Sequence, residues 1–147
     1  MPVVTIFSGA FCQGNEVARL VAEGLGYPLL GDSDLLARVS AERNTPSAKL
    51  AKSTFGKPSV FNQFSHERER GLSWLKVGLA GMLDKTELVY LGYGAHLIPH
   101  AVSHVLSVCL IAESKHRLRR AMAEHKLSER EAAARLHKED ESALQWV

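Results

Sequence analysis

The sequence predicts an α/β fold built on a central, mostly parallel sheet, and three observations predict it. Short β-branched and apolar runs at residues 3–7, 87–91 and 104–111 have the composition of buried strands. Segments with helical spacing separate them, giving the strand, helix, strand order of a βαβ unit. A chain of 147 residues fits one well-packed core and is too short for two ordinary domains, so residues 1–147 read as one unit.

The first strand, residues 3–7, runs into a loop of small residues with two glycines, Ser8 through Asn15. The helix that follows places Val17, Leu20, Val21 and Leu25 on its apolar face and ends at Gly24 or Gly26. Residues 27–30 read as a second strand. A helix over residues 34–39 follows, with Asp32, Ser33 or Asp34 as its cap. Pro46, Gly56 and Pro58 interrupt the next stretch, so residues 40–66 read as a helical insertion or flap. Residues 67–83 return to helical spacing through Leu72, Leu75, Leu79 and Leu83, with Gly71, Gly78 and Gly81 as points of close packing. The strand at 87–91 ends at Gly92-Tyr93-Gly94, and the nearly continuous apolar run at 104–111 predicts a buried strand. Ser114 reads as the cap of a helix through Met122, and Ser128 with Glu131 has capping-box spacing for a last one. The chain stops just past Trp146 without a cap signal, the pattern expected of a C-terminally truncated domain.

Composition narrows the function classes. At 46% apolar and 23% charged residues, the chain is ordinary for a soluble globular domain, and its net charge of +2 predicts neither a nucleic-acid nor a membrane partner. Cys12 and Cys109 stand far apart, and His66, His96, His100 and His104 form no ligand spacing, so neither a disulfide framework nor a metal site is expected. With no signal-like start and no apolar run of spanning length, a reduced cytoplasmic setting is the expectation.

A loop between a strand and a helix N-terminus is where backbone amides receive phosphate. The ordinary phosphate loop adds a Lys for the β- and γ-phosphates and a Ser or Thr for magnesium. Neither follows Gly14 here, where Asn15 stands instead. The order and spacing of Thr5-Ile6, Val17-Ala18, Leu25-Gly26-Tyr27-Pro28, Leu91-Gly92-Tyr93-Gly94-Ala95, Arg117 to Met122 and Leu127-Ser128-Glu129 resemble the cytidylate-kinase-like family of nucleoside-monophosphate kinases. The resemblance implies a three-layer P-loop fold, a nucleotide-binding insertion, and ATP with magnesium as the phosphoryl donor to a pyrimidine nucleotide.

Against the family pattern, its Gly-Ser-Gly-Gly falls on Phe11-Cys12-Gln13-Gly14, Tyr93 stands for an arginine, and the lid-like Asp-x-Arg-Arg falls on Asp140-Glu141-Ser142-Ala143. Arginines neutralise and orient phosphate oxygens, so these replacements predict weak transfer. Candidate nucleotide contacts are Gly9, Phe11, Cys12, Gln13, Gly14, Asn15, Asp32, Asp34, Tyr93, Arg117 and Arg120. Phe11 has a structural reading beside contact with a base or partner. Asp32 and Asp34 have one as cap residues, and Arg117 and Arg120 as a solvated helix face. No catalytic residue is assigned. Two functions follow: a degenerate module for nucleotide sensing, regulation or protein interaction, or an active ATP-dependent (d)CMP phosphotransferase. The partners expected are a nucleotide, a second copy, or a C-terminal domain of a longer parent, with Phe61, Phe64, Trp74 and Trp146 as candidates for an apolar interaction patch.

Overall fold

The structure is a computed structural model that describes residues 2–56, 65–84, 87–99 and 101–144. Its elements run β1 (Val3–Ser8), α1 (Gly14–Leu25), β2 (Leu29–Gly31), α2 (Asp32–Arg43), α3 (Ser47–Phe55), α4 (Glu67–Leu83), β3 (Leu88–Leu91), a 3-10 turn (Tyr93–Leu97), β4 (Val105–Leu110), α5 (Ser114–His125) and α6 (Glu129–Leu144). The four strands lie in the order β2-β3-β1-β4. Every pairing among them is parallel, with Val3 opposite Leu88 on one side and Val105 on the other.

Strand alternation divides the core into two layers. Val3, Leu88 and Tyr90 face Leu35, Val39, Leu50, Leu75 and Leu79 of α2, α3 and α4. Ile6 and Val89 face Ala18 and Ala22 of α1 on the opposite side. The result is a three-layer α/β fold around a parallel sheet, as the sequence predicts. Close approach within the first layer depends on glycine: a Cβ on Gly78 would lie 2.4 Å from Val39 Cγ2, and one on Gly71 would lie 2.6 Å from Thr54 Cγ2.

Three local expectations are corrected. On α1 the buried residues are Ala18 and Ala22, while Leu20 is 55% and Leu25 47% exposed. Leu20 lies opposite Ala18 around the helix and Leu25 sits at its end, so small side chains set the contact with the sheet. The β4 run is not deeply buried. Leu106 is 62% exposed, because β4 is the edge strand and α1 lies over β1, β2 and β3. Ser114 is the first residue of α5 rather than its cap, and the preceding Glu113 makes no side-chain capping bond. The Ser128–Glu131 capping box does form, with Ser128 N donating to Glu131 Oε2 at 2.9 Å and Glu131 N to Ser128 Oγ at 3.4 Å. Phe61, Phe64, His100 and Trp146 lie outside the described residues.

Candidate functional site

The C-terminal ends of β1, β2 and β3 meet the first loop at a cleft of about 680 Å³. In open parallel sheets this end collects ligands, because helix N-termini point into it. Ten of the residues the sequence singles out line it together: Gly9, Phe11, Cys12, Gln13, Gly14, Asn15, Asp32, Asp34, Tyr93 and Arg120. Arg117 is not among its lining residues. Glu16, Glu124 and Glu139 are, and sequence reasoning missed them. The available signal was helical spacing, which sets Glu124 four residues after Arg120.

The loop keeps a glycine-type backbone without the glycines. Phe11 and Gln13 have φ of 60° and 61°, in the left-handed region that side chains disfavour. Gly14, the retained glycine, has a packing reason: a Cβ there would fall 2.4 Å from Ser8 Cβ. Phe11 points its ring toward α5 and α6, edge-on to His125 at 5.7 Å and beneath the Arg135 guanidinium at 5.9 Å. The Phe7 ring stacks edge-on with Tyr93 at 5.6 Å and His96 at 4.6 Å.

The carboxylates have internal partners. Asp32 accepts from the Tyr90 hydroxyl at 2.7 Å, Tyr93 N at 2.8 Å and Gly94 N at 2.9 Å, bolting α2 to the end of β3. Burial first, then the Asp32 charge, hold the Tyr90 phenol far above its ordinary pKa. Asp34 accepts from Gly31 N at 2.8 Å and closes the first turn of α2. Arg117 donates through Nε to Ala10 O at 2.8 Å and through Nη1 and Nη2 to the two oxygens of Asp140, at 3.1 Å and 2.5 Å. Its guanidinium is held above its ordinary pKa, chiefly by that hydrogen bonding.

Residues 3–147 match the cytidylate kinase-like family. The chain belongs to that family. This cytidylate kinase-like chain is similar in fold to solved structures of low identity. An uncharacterized protein from Eubacterium ventriosum ATCC 27560 superposes with a TM-score of 0.68 at 14% identity, covering 97% of this chain and 73% of that one. A gluconokinase from Sinorhizobium meliloti 1021 gives a TM-score of 0.56 at 16% identity, covering 96% of this chain and 74% of its own. No curated protein sequence matches the chain.

The cytidylate kinase-like fold implies ATP with magnesium, and the donor set here suits that group poorly. Among the described residues lining the cleft, Arg120 is the cation, and its Nη2 lies 2.8 Å from Glu124 Oε1. Glu16, Asp32, Asp34, Glu124 and Glu139 line the same space. Two like charges about 6 Å apart repel by roughly 3 kcal/mol at an effective dielectric of 20, so a polyphosphate meets opposition from several sides. Among the described residues no group of three or more His, Cys, Asp or Glu is arranged to hold a metal ion. No helix among them is long and apolar enough to cross a membrane.

Proposed function

We propose that this chain is a degenerate cytidylate kinase-like module, in which the inherited cleft serves nucleotide sensing and regulation in place of phosphoryl transfer. The observation that carries the loss of transfer in this reading is the charge of the cleft: Arg120 is paired with Glu124, and four further carboxylates line the same space. Transfer needs cations that neutralise charge as it moves between phosphate oxygens, and a productive kinase turns over at about 1–100 per second. Here Arg117 spends its guanidinium on Asp140 and Ala10, and Asn15 carries neither the charge of Lys nor a hydroxyl for magnesium. What favours retained recognition over loss of all binding is the convergence of the first loop, the α1 N-terminus and Tyr93 on one cavity.

The test is a panel of ATP, CMP and dCMP, each with and without magnesium, read by calorimetry for binding and by a coupled assay for transfer. Binding of one nucleotide with transfer at the uncatalysed background is the expected result. Turnover at ordinary kinase rates, abolished by Arg117→Ala, establishes the active (d)CMP phosphotransferase instead. Absence of binding in folded protein rejects sensing and leaves protein interaction as the role of the fold.

A further inference from the structure

We propose that Trp74, Arg43 and Arg70, where α2, α3 and α4 meet, form a docking surface for an acidic segment of a partner protein. The partner's carboxylates meet the two guanidiniums, and one of its apolar side chains enters the hollow beside the indole. Of the aromatic residues that the sequence singles out for an interaction patch, Trp74 is the one within the described residues. It is half-buried and packs against the core cluster of α2, α3 and α4. The guanidinium carbons of Arg43 and Arg70 each lie 5.9 Å from its ring centroid, within the range of a cation–π contact.

Charge complementarity selects the partner. Arg19, Arg38, Arg120 and Arg135 each meet a Glu four residues on, the spacing at which helical side chains pair. Four residues after Arg70 stands Trp74 instead, and four after Arg43 stands Ser47. Among the described residues, neither Arg43 nor Arg70 makes an ion pair or a side-chain hydrogen bond. Lys49 adds a third cation beside the indole, with Glu67 facing it at 3.8 Å. The patch therefore keeps a surplus of positive charge next to an aromatic ring, and carboxylates complement it. Trp and Arg are also the side chains that most often anchor protein interfaces.

The surface is held in place by the fold. α2 ends in a fixed reversal, where Asn44 takes a φ of 48°, Thr45 N donates to Ser40 O at 3.1 Å and Ser40 Oγ donates to Thr45 O at 2.6 Å. α3 and α4 touch at Gly71, where a Cβ would meet Leu50 Cδ1 at 3.4 Å. Such preorganisation lowers the cost of binding. Beside the indole lies a hollow of about 80 Å³, lined by Thr45, Leu50, Ser53 and Gly71 among others. It is well below the roughly 300–1,000 Å³ of a small-molecule site and suits a single side chain. The Thr45 and Ser53 hydroxyls donate to the Arg43 and Leu50 carbonyls at 3.2 Å and 3.0 Å, which leaves them no proton for a phosphate. Three cations with a carboxylate among them neutralise too few phosphates for a nucleic-acid track. The patch and the cleft stand at opposite ends of α2, about 17 Å apart along its axis, so this surface is independent of the nucleotide reading.

Fluorescence anisotropy of a labelled peptide, Gly-Asp-Glu-Leu-Asp-Glu-Gly, titrated with the whole chain tests the surface. Saturable binding at low salt that weakens about tenfold or more at high salt is the expected result. Arg43→Gln and Arg70→Gln are each expected to weaken it about fivefold, while Arg19→Gln, on α1, leaves it at the parent level. Arg43 and Arg70 are exposed, so both variants should keep the parent's thermal midpoint, which separates lost binding from lost folding. Replacing the peptide's Leu by Gly leaves the hollow empty and is expected to cost about fivefold or more. The proposal is overturned if the peptide does not bind, if Arg43→Gln and Arg70→Gln bind like the parent, or if Arg19→Gln weakens binding equally. Equal binding of the Gly-substituted peptide also overturns it. So does displacement of the labelled peptide by inorganic phosphate or a single-stranded oligonucleotide at lower concentration than by unlabelled peptide, which makes the surface an anion or nucleic-acid site.

Discussion

Gln13 sits at φ 61° at the head of α1 with its side chain on the surface, bonded to Glu16 at 3.0 Å. A left-handed conformation costs an L-residue about 1–2 kcal/mol, and glycine recovers most of that less its own entropy of about 0.5–1 kcal/mol. Gln13→Gly is therefore expected to raise the unfolding free energy by roughly 0.5 kcal/mol, read from urea denaturation. Phe11 shares the conformation but has ring contacts to lose, so the same gain is not expected there. Tyr90 gives a pH prediction. Its phenol is buried against Asp32, and its folded pKa lies well above the unfolded value near 10. The stability contributed by the neutral phenol is complete below pH ~10 and is lost as pH rises from there toward the folded value. Unfolding midpoints should fall from about pH 10 upward, and Tyr90→Phe should flatten that fall while costing about 1 kcal/mol at neutral pH through the lost hydrogen bond to Asp32.

Among the elements, the two helices that carry interior glycines give opposite predictions for the same change. Gly24 of α1 has nothing within 4 Å of a would-be Cβ, so Gly24→Ala gains helix propensity and should stabilise by up to about 1 kcal/mol. Gly78 of α4 has Val39 Cγ2 at 2.4 Å from that position, so Gly78→Ala must force α2 and α4 apart and should destabilise by about 1–3 kcal/mol. Thermal midpoints of the two variants measured side by side check both signs. Helical spacing was enough to place α4, whose range of Glu67–Leu83 coincides with the sequence reading. On α1 it placed Val21, which packs against the core, but it also chose Leu20 and Leu25, because hydrophobic size pointed to them while the closeness of the sheet selected Ala18 and Ala22. Asp32 was legible as a residue of interest at the start of α2. Its three donors, Tyr90, Tyr93 and Gly94, come from about sixty positions downstream, and no local pattern announces them.

On the scale of the whole molecule, the order β2-β3-β1-β4 leaves β4 at the edge, with Leu106 62% exposed and Ile111, just past its end, 85% exposed. Leu106→Lys is accordingly expected to change the unfolding free energy of this chain by no more than about 0.5 kcal/mol in urea titration, whereas the same substitution in a buried strand is severe. The sequence by itself determined the α/β class, the family, the strand-loop-helix segment and ten residues that line one cleft, because these follow from local periodicity and from a loop whose place between two elements is written in the chain. Tertiary structure alone decided that Asp32 is a bolt, that Arg117 faces Asp140 rather than the cleft, and that Glu16, Glu124 and Glu139 join the lining. Charge in a cavity is a sum over side chains brought together from α1, α2, α5 and α6, and that sum is fixed only when the helices dock.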